Sequence, residues 1–75
     1  MKMTYDKNAD AVYIYIVDDD KIKTREVKKT YLCDPKETGS MINLDFDQED
    51  KLFGIEVLNA SKKISKEILD KAEIK

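Results

Sequence analysis

The cleanest alternation in the chain runs from Met41 to Asp47, with Ile42, Leu44 and Phe46 on one side and Asn43, Asp45 and Asp47 on the other. A period of two predicts a half-buried strand, with the apolar set inward and the polar set toward solvent. Leu52 to Leu58 reads as the next strand, which leaves Gln48 to Lys51 as a four-residue hairpin. Ala11 to Val17, AVYIYIV, is rich in β-branched and aromatic residues and gives the strongest strand signal. Its two faces, Ala11/Tyr13/Tyr15/Val17 and Val12/Ile14/Ile16, are both apolar. It is therefore expected in the middle of a sheet, covered on each side or covered on one side by another chain. Lys2 to Tyr5 predicts a short first strand, ended by the turn-rich Asp6 to Asp10. A third strand is expected from about Ile22 to Cys33, with Val27, Tyr31 and Cys33 sharing a face. Ile22 and Leu32 fall on the wrong parity, which a bulge near Lys28 and Lys29 would reconcile. Asp34 to Ser40 reads as a loop on its turn chemistry.

Beyond residue 60 the period changes. Ile64, Ile68, Leu69 and Ala72 recur at helical spacing and form one apolar stripe. Ser65 suits an N-cap, Ile64 before it can pack on Leu69, and Glu67 and Lys71 stand at i,i+4. Ala60 to Lys62 reads as a lead-in turn. The pattern predicts an α+β fold in one domain spanning residues 1–75. Its small, mostly antiparallel sheet has about five strands in hairpin and meander order, with one C-terminal helix packed on one face.

Composition changes this picture in one respect. Seventy-five residues lie near the lower limit for a self-supporting core, and the usual staples are missing. Cys33 is the only cysteine and there is no histidine, so an internal disulfide is excluded and a zinc site would lack its commonest ligands. Association with another chain is a natural source of extra burial. Charged residues make up 40% of the chain but nearly cancel, at −2 overall, so no global field favours nucleic acid or membrane. No apolar run approaches the ~20 residues that span a bilayer. The N-terminus has no apolar segment of signal-peptide type, so a cytoplasmic protein is expected.

Candidate chemistry is sparse. Asp45, Asp47, Glu49 and Glu56 stand at positions 1, 3, 5 and 12 of a twelve-residue calcium loop. Position 6, however, is Asp50 instead of glycine, position 7 is Lys51, and the flanks alternate like strands. The stretch therefore reads as an acidic hairpin turn, with Asp45, Asp47 and Glu56 the residues any metal reading would use. Asp18-Asp19-Asp20 reads as a second solvated turn. The basic segment Lys21 to Lys29, KIKTREVKK, could track phosphates, but lysines also blunt exposed sheet edges. The edge reading is preferred, and specific nucleic-acid binding is not expected. Without histidine, Cys33 and the serines 40, 61 and 65 have no such base to activate them. No catalytic residue and no cofactor are assigned. Tyr13 and Tyr15 share a face of the central strand, where they serve either a core or an interface. Ile14 is the rival anchor on the other face, and Tyr31 is a further aromatic in an exposed patch.

The stretches Tyr5-Asp6, Ala9-Asp10-Ala11, Tyr13, Glu26-Val27, Gly54-Ile55-Glu56-Val57-Leu58 and Ala60-Ser61 together resemble a small prokaryotic family, domain-of-unknown-function family 2283. The resemblance extends over nearly the whole chain and departs from the family only in the longer Lys28 to Ser40 segment. It implies a fold and no activity. It also suggests an antitoxin-like role, with a small toxin-like protein as partner. The residues and the resemblance together point to a non-catalytic interaction domain that self-associates, most simply as a homodimer. The alternatives are weak divalent-metal or carboxylate chemistry at the acidic hairpin, and an accessory role in nucleic-acid binding.

Overall fold

A computed structural model describes residues 1–75. Six strands form a single sheet: β1 (Lys2–Asp6), β2 (Ala11–Tyr15), β3 (Val27–Cys33), β4 (Ile42–Asp47), β5 (Leu52–Leu58) and β6 (Glu73–Ile74). Three one-turn helices accompany them: α1 (Pro35–Thr38), α2 (Ala60–Lys63) and α3 (Lys66–Leu69). The strand order is β3-β4-β5-β2-β1-β6. All pairings are antiparallel except β1 with β6, which is parallel, so the sheet is mixed. The fold is α+β as expected. The five-stranded, mostly antiparallel sheet with one C-terminal helix is not what forms.

The strongest strand signals place the two hairpins well. β5 covers the expected Leu52–Leu58, and Asp50 adopts φ 60° in the turn before it, a conformation Asp tolerates better than most residues. In the other hairpin the Asp6 carboxylate accepts from the amides of Asn8 at 3.0 Å and Ala9 at 3.2 Å. β2 is central, between β1 and β5, but it ends at Tyr15 instead of Val17.

β3 begins only at Val27. Asp19 to Lys21 form a 3₁₀ turn, so residues 22–26 are not part of the strand. The expected bulge is present: Val27 pairs with Asp47 and Lys29 with Phe46, leaving Lys28 as the extra residue. β3 is an edge strand with every residue but Cys33 exposed, which agrees with the reading of its lysines as edge residues. Asp34 to Ser40 is not simply a loop. Asp34 caps α1 by accepting from the Lys36 amide at 2.9 Å, Pro35 opens it, and Gly39 closes it at φ 76°.

The C-terminal stripe divides. Ser65 does precede α3, but its hydroxyl makes no capping bond, and α3 stops after one turn. The expected Glu67–Lys71 pair is replaced by Lys66–Asp70 at 3.3 Å. Glu73 and Ile74 instead pair with Thr4 and Tyr5, and the Lys75 amide reaches the Tyr5 carbonyl at 2.9 Å. A free strand edge thus captures residues that would otherwise prolong the helix. Ile64 and Leu69 still pack against the core and Ala72 is buried, whereas Ile68 faces solvent.

The core is small, with Val12, Val57 and Ala60 at its centre and Met3, Tyr5, Ile14, Ile42 and Ile55 around it. The C-terminal segment therefore covers the Val12/Ile14 face. The molecule measures 32 × 28 × 18 Å, thin enough for one sheet and one covering layer. The opposite face carries Tyr13 and Tyr15, with Ile22 of the β2–β3 connection beside them.

Candidate functional site

Cross-strand partners share a sheet face, so the register defines the open side. Tyr13 pairs with Glu56, Glu56 with Asn43, and Asn43 with Leu32. One position along, Tyr15 pairs with Gly54, Gly54 with Asp45, and Asp45 with Thr30. The face opposite the C-terminal segment is thus a band of tyrosines on β2 beside a polar ladder on β4 and β5.

These groups are bonded to one another. The Tyr13 hydroxyl donates to Asp45 Oδ2 at 2.7 Å, and the Thr30 hydroxyl donates to Asp45 Oδ1 at 2.7 Å. Asn43 donates to Glu56 Oε1 at 2.9 Å. To reach Asp45 on β4, the Tyr13 ring must cross β5, and it does so over Gly54. A Cβ at residue 54 would lie 2.5 Å from the ring and from its hydroxyl oxygen. The glycine is required there for space, which is one of the few reasons to place glycine inside a strand. Burial first, and then the bond to Asp45, push the Tyr13 hydroxyl well above its ordinary range. The phenol remains a proton donor to the carboxylate at any physiological pH.

A bulge between β4 and β5 pairs Asp45 with Gly54 and Phe46 with Leu52, so Phe53 is the extra residue. Its ring meets Tyr15 edge-on at 6.0 Å, and Tyr15 meets Tyr13 at 4.7 Å. Beside these three rings the open face carries a groove of about 540 Å³, lined mainly by apolar residues, with Ile22 and Leu58 in its walls and Glu56 in its lining.

The four residues expected at an interface separate into two sets. Tyr13 and Tyr15 lie together on the open face. Ile14 packs under the C-terminal segment. Tyr31 pairs with Leu44, which pairs with Ile55 and so shares the Ile14 face. It lies at that face's β3 end and is 60% exposed. A single patch uniting Tyr31 with Tyr13 and Tyr15 does not exist.

The metal candidates are also separated in role. Asp45 serves Tyr13 and Thr30, and Glu56 serves Asn43. Asp47 is not open to solvent as its parity predicts: the turn that follows and Arg25 close over it, and it is buried. Its Oδ1 accepts from the amides of Glu49 at 2.8 Å and Lys51 at 3.0 Å, and Arg25 stands 3.8 Å from Oδ2. The Lys51 amide bond chiefly, with those of Glu49 and the Arg25 charge assisting, holds the Asp47 carboxyl below its usual range. Asp47 is a turn residue, and the three carboxylates form no metal-binding group.

A second polar cluster lies at the opposite end of the β1–β2 hairpin. Asp10, at φ 51°, accepts from the Tyr5 hydroxyl at 2.7 Å, the Ser61 hydroxyl at 2.7 Å and the Ser61 amide at 3.0 Å. Its own carbonyl takes the Ala60 amide at 2.9 Å. The bonds from Ser61 and Tyr5 hold the Asp10 carboxyl below its usual range. Asp10 thus caps α2 from 51 residues away, and clamps the C-terminal segment to the sheet. The sequence alone shows neither the bonds of Tyr5, Asp10 and Ser61 nor the close approach at Gly54, because these depend on which segments meet in the fold. Gly54 alone carries a local signal, because a glycine inside an apolar strand often marks close approach.

No helix of the chain is long and apolar enough to cross a membrane. Neither the curated proteins nor the solved structures provide a match to the chain. A family model described as "Protein of unknown function (DUF2283)" matches residues 2–61. That span contains both the Tyr13–Asp45 network over Gly54 and the Tyr5–Asp10–Ser61 clamp, and it ends just before α3 and β6. With four-fifths of its length matched in one piece, the chain belongs to the DUF2283 family.

Proposed function

We propose that this is a non-catalytic, cytoplasmic protein-association domain that works as a homodimer through the Tyr13/Tyr15 face. The observation that carries this reading is the one-sided covering of the sheet. The C-terminal segment lies on the Val12/Ile14 face, and on the opposite face the half-buried Tyr13 and Tyr15 rings border an open groove. Clustered aromatic residues beside an apolar groove are the usual anchors of protein interfaces. The polar groups of this face are engaged with one another, which favours a rigid docking surface over chemistry. The small toxin-like partner suggested by the family resemblance would compete for the same face.

Sedimentation equilibrium at micromolar concentration tests the reading. Wild type is expected to sediment as a dimer. Tyr15→Asp, which places a charge among the rings, is expected to sediment as a monomer with an otherwise unchanged amide spectrum. A wild type that stays monomeric at high concentration would refute the proposal.

A further inference from the structure

We propose that the outer edge of β3 captures an extended, acidic segment of a partner protein as a further strand of the sheet. This surface is distinct from the Tyr13/Tyr15 face, and the proposal does not depend on the homodimer reading.

β3 and β6 are the two edges of the sheet. β6 has only two residues, whereas β3 has seven, six of them exposed. A strand directs alternate N–H and C=O groups to either side, and β4 takes those of β3 on one side only. None of the chain's main-chain hydrogen bonds outside its regular elements involves residues 27–33. The groups on the outer side therefore have no partner within the chain, and such an edge is a template for another strand. From Lys29 to Cys33 the register with β4 is unbroken, so that part of the edge is regular.

The side chains indicate what kind of strand fits. Of the seven large apolar residues that the chain exposes, Val27, Tyr31 and Leu32 lie on β3, and Met41 leads into β4 beside Cys33. Tyr31 and Leu32, adjacent in the strand, stand on opposite faces, so an added strand meets an apolar side chain on each. β3 also carries two lysines and no acidic residue. Lys28 pairs with Glu26 at 3.3 Å and Lys29 with Asp50 at 3.4 Å, and all four side chains are more than half exposed. Surface pairs of this kind are weak and open to exchange for another carboxylate.

Charge then selects between occupants. Pairing β3 with the β3 of a second copy sets four lysines along one joint with no acidic residue on either strand. An acidic strand meets the same lysines favourably. In this mode of recognition main-chain bonds supply affinity, and the alternating side chains supply selectivity. The lysines that blunt the edge toward its own kind mark it for an acidic one.

The experiment follows the backbone amides of the full chain by nuclear magnetic resonance. The probe is a peptide of alternating glutamate and valine, about eight residues long, which spans the seven of β3. It is expected to shift the amides of residues 27–33 and slow their exchange, while those of Tyr13 and Tyr15 stay unchanged. The same peptide with lysine in place of glutamate is expected to bind at least about tenfold more weakly. Replacing both lysines, Lys28→Glu with Lys29→Glu, is expected to reverse that preference. A reversal needs an intact strand, so it excludes misfolding as the cause. No response to the acidic peptide, a response confined to the tyrosine face, or equal binding of the two peptides would overturn the proposal. Protection of β3 on concentrating the protein alone would also overturn it, by making the occupant a second copy. So would a single-stranded oligonucleotide that binds this edge more tightly than the acidic peptide.

Discussion

A glycine inside a strand is ordinarily a weakness, costing about 0.5–1 kcal/mol relative to alanine. At residue 54 the sign reverses, because the Tyr13 ring occupies the space of the absent side chain. Gly54→Ala is therefore expected to destabilise the protein by about 1–3 kcal/mol, the range for overpacking a filled site. In a Tyr13→Ala background the same substitution is expected to be neutral or stabilising. Urea denaturation of the four proteins in that cycle measures the coupling, and additive effects would show that ring and glycine do not depend on each other. Much of this was illegible in the sequence. Alternation put Tyr13, Asp45 and Glu56 on their strands, but not Tyr13 across a neighbouring strand, which depends on which strands pair and in what register.

At the scale of elements, two carboxylates hold segments that have little strength of their own. Asp10 caps α2 and ties it to Tyr5, while Asp47 closes the β4–β5 turn. Both carboxyls titrate below their usual range, so the stability they confer is complete above about pH 4 and is lost as pH falls through their lowered values. Wild type is expected to show a urea midpoint that drops on acidification from pH 5 to pH 2. Asp10→Asn is expected to start lower at pH 7 and fall less, and an identical acid slope in both would show that Asp10 contributes nothing. This dependence explains which elements could be foreseen. β4 and β5 carry their own alternation, so sequence alone placed them to within a residue. α2, α3 and β6 are set by distant partners: the Asp10 carboxylate for α2, and the free β1 edge for Glu73 and Ile74. Helical spacing at Ile64, Leu69 and Ala72 correctly marked the side that faces the core, but spacing does not reveal a competing strand edge.

For the molecule as a whole, one covering layer on a six-stranded sheet leaves only eight residues buried, two of them polar. A core of that size gives an isolated domain little margin. Pairing the tyrosine faces of two protomers would turn two half-covered sheets into a four-layer assembly with those faces at its centre. Folding and association are then linked, and the apparent stability must rise with concentration. Thermal unfolding followed by circular dichroism from 1 to 100 μM is expected to show a midpoint that climbs by several degrees. In Tyr15→Asp the midpoint is expected to be lower and independent of concentration. A wild-type midpoint that does not move over that hundredfold range would mean the sheet is stable with its aromatic face in water, and would remove the energetic case for the dimer.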